Sequence, residues 1–91
     1  MKWMEVIKLR IAQENPELIE QKIVKIIADV NNGSKNEIKF YHHAMLDNDV
    51  SVFLHWESEK IEPQGSAKGL CLFHVLKEYG LISHSVWVEG T

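Results

Sequence analysis

The spacing of apolar residues along this chain switches between two periods, and the order of the switches constrains the fold more tightly than any single motif. Residues 4–12 alternate: Ile7, Leu9 and Ile11 fall on one side, Lys8 and Arg10 on the other, with Glu5 standing apart from the pattern. That is the period-two signature of a strand. After QENPE the period changes. Asn15 suits an N-cap, Pro16 the first helical position and Glu17 the positive end of the helix dipole. Ile19, Ile23, Ile26, Ile27 and Val30 then recur at helical spacing. NNG at residues 31–33 is expected to end this helix, with Gly33 or an asparagine in the left-handed conformation.

Two more alternating runs follow, over residues 37–46 and 50–57, and DND at residues 47–49 makes a compact turn between them. SEKIEPQGS is a polar loop that closes on Ser66, an N-cap for the helical stretch AKGLCLFHVLKEY. Gly80 followed by Leu81 matches a glycine-terminated helix end. A last alternating run, residues 83–89, sets Val86 and Val88 against Ser85, Trp87 and Glu89. The order is β-α-β-β-α-β in a single α+β domain spanning residues 1–91, the split-βαβ, ferredoxin-like pattern. Right-handed crossovers place both helices on one face of a four-stranded antiparallel sheet and leave the other face open.

Alternation then sorts the residues. The helix side receives Ile7, Leu9, Ile11, Val50, Val52, Leu54, Trp56, Val86 and Val88, together with Phe40, His42, Ala44 and Leu46. A three-residue turn would pair Leu46 with Val50 and His42 with Leu54, and a four-residue turn would pair His42 with His55. The first keeps apolar residues opposite apolar residues and is preferred. The open face then carries Lys8, Arg10, Tyr41, His43, Met45, Ser51, Phe53, His55, Glu57, Ser85 and Trp87. Its aromatic members are costly to leave in water together and its charged members are costly to bury dry. A second copy of the sheet packed across a partly wet cavity satisfies both, so a homodimer through the open faces is expected. A chain of 91 residues buries only about 60–65% of its unfolded surface, which also favours association.

Ten Lys and Arg against 13 Asp and Glu give a formal charge of −3, and no basic cluster is present. This argues against nucleic acid and anionic membrane as partners. No run approaches the ~20 apolar residues of a membrane span. Glu5, Lys8 and Arg10 interrupt the first ten residues, so no signal peptide is expected there. Cys71 is the sole cysteine, which excludes an internal disulfide and a cysteine-rich structural metal site; the expected location is cytoplasmic.

The element order resembles the dimeric α/β-barrel superfamily, the group that includes antibiotic-biosynthesis-monooxygenase-like domains. In that group two sheets pack into a barrel whose interior holds a ligand, and the resemblance implies the same here. Members often show Glu-x-Trp in the third strand. HWES in this chain places Trp56 before Glu57 instead, and no catalytic residue is carried over from the family.

Within FYHHAMLDNDVSVFLHWES, His42 and His43 are adjacent and point to opposite faces, so they cannot share a ligand. His43 and His55 share the open face as expected diagonal neighbours. With Glu57 they could act as acid and base or hold a divalent ion, against the plainer reading of half-exposed polar residues at an interface. His74 is expected at a helix edge, His84 in a backbone hydrogen bond and Cys71 in the core. Gly65, Ser66 and Lys68 of PQGSAKG could cradle an anion, although helix capping already explains Gly65 and Ser66. The leading functional expectation is a small-molecule-binding module with a pocket lined by Arg10, Tyr41, His43, His55, Glu57 and Trp87. The alternatives are a dimeric-barrel enzyme using His43 or His55 as acid or base with no bound cofactor, and a purely structural or partner-binding domain.

Overall fold

The structure is a computed structural model that describes residues 1–31 and 37–91. Its elements run β1 (Lys2–Ile11), α1 (Pro16–Asn31), β2 (Glu37–His42), β3 (Asp49–Glu57), α2 (Ala67–Leu76), a 3-10 turn (Lys77–Tyr79) and β4 (Gly80–Val88). The four strands form one antiparallel sheet in the order β2-β3-β1-β4, the ferredoxin-like α+β architecture that the periodicity implies.

Alternation on the strands and the 3.6-residue stripe on the helices meet in one core. Ile7, Leu9 and Ile11 of β1 and Val50, Val52 and Leu54 of β3 pack against Ile19, Ile23 and Ile27 of α1 and Leu72 and Leu76 of α2. Ile7, Ile23, Leu54, Leu72 and Leu76 are fully buried. Burying a side chain of this size contributes about 1.5–3 kcal/mol, so this layer drives folding. Gly69, Leu72 and Leu76 form the buried stripe of α2, and Cys71 lies off that stripe. Cys71 is therefore exposed, contrary to its expected place in the core.

Several boundaries differ from expectation. The β2–β3 hairpin is shorter in strand and longer in loop: β2 ends at His42, and the turn takes in residues 43–48, where the sequence predicts a turn over residues 47–49 alone. Local hydrogen bonds explain this. The His43 Nδ1 accepts from the amides of Met45 and Leu46, each at 3.0 Å, which draws the chain out of the sheet. Asn48 holds the far side of the loop to β1: Ile11 N–H donates to its carbonyl at 2.8 Å, and its side-chain amide donates to the Ile11 carbonyl at 3.0 Å. Ala44 and Leu46 are consequently exposed loop residues rather than members of the helix-side face.

The register moves as well. His42 lies opposite Val50 rather than Leu54, and Glu37 lies opposite His55. Each strand shifts by an even number of residues, so every face assignment within the strands survives. His42 confirms it: its Nδ1 stands 3.6 Å from Glu20 of α1, on the helix side.

Gly80 does not take a left-handed helix-ending conformation. It is extended (φ 161°) and begins β4, opposite Ile11. A side chain there would collide with the Arg10 carbonyl, which accounts for glycine at this position. At the start of α1, Asn15 adopts a left-handed conformation (φ 60°), and its carbonyl accepts from Leu18 and Ile19. The expected α1 stop at residues 31–33 falls on Asn31, still helical, and on residues 32 and 33, which lie outside the described residues.

Candidate functional site

The open face is built from five cross-strand rows, set by the two registers of β1 and the pairing of β2 with β3, the last of them Lys2 with Glu57 at the end away from the hairpin. From the hairpin end, Asp49, Arg10 and Leu81 form the first. Tyr41, Ser51, Lys8 and Ser83 form the second, and Lys39, Phe53, Val6 and Ser85 the third. Glu37, His55, Met4 and Trp87 form the fourth. The face is concave towards the hairpin end, with a volume of about 870 Å³ lined by Met4, Lys8, Arg10, Tyr41, His43, Asp49, Ser51, Phe53, His55, Leu81 and Ser83 among others. A second hollow of about 770 Å³ lies at the opposite end, where Met4 and His55 meet Glu37, Glu57 and Trp87.

The six residues expected to line one pocket therefore divide. Arg10, Tyr41 and His43 border the first hollow, Glu57 and Trp87 the second, and His55 both. His43 and His55 are not diagonal neighbours. Glu37 faces His55, and six residues separate it from His43, roughly 20 Å along the strand. The shifted register is the cause, and it rules out a joint site for the two imidazoles on one protomer. Nor, among the described residues, do three His, Cys, Asp or Glu side chains converge as metal ligands would.

Electrostatics further sort the face. Arg10 is held by Asp49 in a two-point ion pair, 2.9 Å from Nε to Oδ1 and 3.3 Å from the terminal nitrogen to Oδ2. Hydrogen bonding to Arg10 holds the Asp49 carboxyl below its ordinary value, and the same bond raises the already high value of the guanidinium. Arg10 thus already has an anionic partner on its own chain. Lys39 is likewise raised by hydrogen bonding to Glu37 at 3.2 Å. Tyr41 packs edge-on against Phe53, with ring centres 5.3 Å apart, and forms an aromatic wall on the β2 side. Trp87 is 58% exposed and donates its indole N–H to Ser85 Oγ at 2.9 Å.

A second polar assembly lies on the other side of the sheet, where the alternation of β1 points Glu5 into the helix layer. Glu5 is fully buried. Its Oε1 accepts from the Ser66 amide at 2.9 Å and stands 2.9 Å from His84 Nε2. Its Oε2 accepts from Trp56 Nε1 at 2.7 Å and from the Ser66 hydroxyl. Ser66 caps α2 by accepting from Gly69 N–H at 2.9 Å. The anion cradle considered for PQGSAKG is therefore filled from within, by a carboxylate of β1 seated on the first turn of α2. Gly69 leaves the space: a Cβ there would collide with the Glu5 carboxylate. His84 also stacks on Phe73 at 5.8 Å, so it serves a side-chain network rather than the expected backbone hydrogen bond. The readable signal for this cluster was Glu5 itself, a charge at a core position of an alternating strand. Beside it Trp3 and Trp56 stack with centres 5.5 Å apart.

No helix among the described residues is long and apolar enough to cross a membrane. No protein-family model and no curated protein matches the sequence. Two solved structures share the fold. A mutant of SnoaB, a cofactor-independent oxygenase from Streptomyces nogalater, is 11% identical with a TM-score of 0.71, over 99% of this chain and 94% of that one. Rv0793 from Mycobacterium tuberculosis is 10% identical with a TM-score of 0.68, over 100% of this chain and 97% of that one. At these identities the likeness speaks to fold alone. The chain shares its ferredoxin-like α+β fold with these two proteins.

Proposed function

We propose that this protein is a homodimer that binds a small organic molecule between its open sheet faces. The observation that carries the reading is the composition of that face: Tyr41 (52% exposed) and Leu81 stand in solvent beside Lys8, Ser51, Ser83 and His55 around one hollow, and exposed Trp87 borders the other. Aromatic and aliphatic surface of this kind gains free energy from being covered, and the interleaved polar groups require a ligand or water rather than a dry interface. A second sheet laid across the face supplies the cover and converts an open hollow into a chamber. Sedimentation analysis at micromolar concentration tests the first half: a dimer is expected, and replacing Trp87 or Leu81 with Glu should shift it towards monomer. A wild-type chain that remains monomeric at the highest soluble concentration overturns the proposal.

The enzyme reading also has one supporting observation. His55 borders both hollows, and neither ring nitrogen is engaged by the turn that occupies His43. In this reading His55 exchanges a proton with the bound molecule. His43 is the weaker acid–base candidate, because its Nδ1 already accepts two amides and would have to release them to take a proton. His55→Ala should then abolish turnover of any identified substrate while leaving binding intact.

A further inference from the structure

We infer that His43 is a proton-operated latch: its neutral imidazole holds the turn at residues 43–48 in the form described above, and protonation releases that turn and with it one rim of the first hollow. The ring stands where β2 ends, and its Nδ1 accepts from the Met45 and Leu46 amides, each at 3.0 Å. A ring nitrogen that accepts carries no proton, so the neutral imidazole here holds its proton on Nε2. Protonation adds a second N–H at Nδ1, where two amide N–H groups already point. The acceptor becomes a third donor, and both amides lose their partner. The imidazolium and this form of the turn therefore exclude each other. The device needs neither a dimer nor a ligand.

The other bonds of the turn decide what moves. The His43 amide donates to the Asp49 carbonyl at 2.8 Å, and the Asp49 amide donates to the Leu46 carbonyl at 3.2 Å. Asn48 is tied to Ile11 by two bonds, at 2.8 and 3.0 Å. None of these uses the imidazole ring, so release is one-sided: the end of β2 and Asn48 stay, and residues 44–46 come loose. That stretch carries Met45 (84% exposed) and Leu46 (49% exposed), two large apolar side chains held out in water. Side chains so exposed add little packing, which leaves the two amide bonds as a main restraint. His43 and Asp49 both border the first hollow, so the loosened stretch lies between two of its rim residues.

Charges of both signs surround the ring. Asp49 of β3 is within Coulombic reach of the imidazole and favours its charged form. The ion pair of Asp49 with Arg10 of β1 offsets that attraction. Lys8 of β1 lines the same hollow and opposes the charged form, and Tyr41 of β2 lines it too. Asp47 lies within the turn itself. His55 stands roughly 20 Å along the strand. His42 points to the other face, towards Glu20 of α1, so its titration belongs to a different environment. With the charges opposed, the inverted hydrogen bonds set the response of the turn.

Nuclear magnetic resonance of the whole chain between about pH 8 and 5, the range in which imidazoles change charge, tests the latch. At the upper end the ring nitrogen shifts should report a proton on Nε2 and a bare, accepting Nδ1. On acidification the Met45 and Leu46 amides should shift in step with the His43 ring, and their protection from hydrogen exchange should fall at least about tenfold relative to the Ile11 amide. His43→Asn places a carboxamide oxygen where Nδ1 stood, accepts the same two amides and does not titrate, so it should keep both protected across the range. His43→Ala should leave both unprotected even at the upper end. A proton found on Nδ1 in the neutral ring overturns the latch. So does a ring that titrates while both amides stay protected, or an equal loss of protection in His43→Asn.

Discussion

Replacing Glu5 with alanine should be among the most damaging single changes available to this protein, although the residue is a carboxylate in a small core. Four donors converge on it: the Ser66 amide, the Ser66 hydroxyl, the Trp56 indole and His84. The Ser66 hydroxyl can turn elsewhere. The Ser66 amide and the Trp56 N–H cannot, and each buried donor left without a partner costs about 1–3 kcal/mol. His84 loses its partner as well, at a position where its side chain is 10% exposed. Water entering the vacated space would offset part of this, so the net loss is about 3–5 kcal/mol, in line with the cost of breaking a buried charged network from one side. A domain of this length has roughly 5–14 kcal/mol in total. The expected result is a fall in Tm of at least about 12 °C. Urea denaturation followed by circular dichroism supplies the free-energy difference. Glu5→Gln, which keeps the shape and one acceptor, should lose about half as much. A loss below about 1 kcal/mol for Glu5→Ala would refute the claim that this carboxylate organises the α2 end of the core.

Gly69→Ala should destabilise by about 1–3 kcal/mol, despite the better helix propensity of alanine, because its methyl meets the Glu5 carboxylate; the cost should shrink in the Glu5→Ala background, as a double-mutant cycle in urea would show. Ile23→Ala, at a fully buried position between the helices and the sheet, should cost about 2–5 kcal/mol in the same assay. The Asp49 carboxyl is held below the ordinary 3.8 by Arg10, so its contribution is present above that value and disappears as pH falls through the lower folded-state value. The stability gap between wild type and Asp49→Asn should therefore be constant from neutral pH down to about 4 and close below it; a gap that widens on acidification would contradict the pairing.

The legible part of the fold was the part governed by local periodicity. The stripe Ile19, Ile23 and Ile27, and the alternation of Val50, Val52 and Leu54, each identify an element and its buried side without knowledge of any partner. Face assignment proved robust for a geometric reason, since the hairpin register slipped by an even number of residues and parity was kept. The turn was not legible because a side chain decided it. His43 accepts two consecutive amides, one of which a longer β2 would have offered to β3, and propensity does not report such competition. With the turn went the proximity of His43 and His55, an inference built on register rather than on face. Glu5 stands out in the sequence, but its partners do not, for the opposite reason. Its donors come from residues 56, 66 and 84, which are distant in sequence and converge only once β3, β4 and the start of α2 have come together around β1. Cys71 was misplaced because a strongly apolar helix hides which stripe is buried, and only Gly69, tucked against Glu5, fixes its rotation.

The three tryptophans divide the molecule optically. Trp3 and Trp56 are stacked at 17° between ring planes, and Trp56 is tied to Glu5, so their coupled near-ultraviolet signal belongs to the helix-side core. Trp87 stands alone on the opposite face. Retaining one set at a time by Trp→Phe substitution gives two intrinsic chromophores for two separate events. In one variant the stacked pair would record whether the core has formed, and in the other Trp87 would record whether anything has covered the sheet, without an attached label.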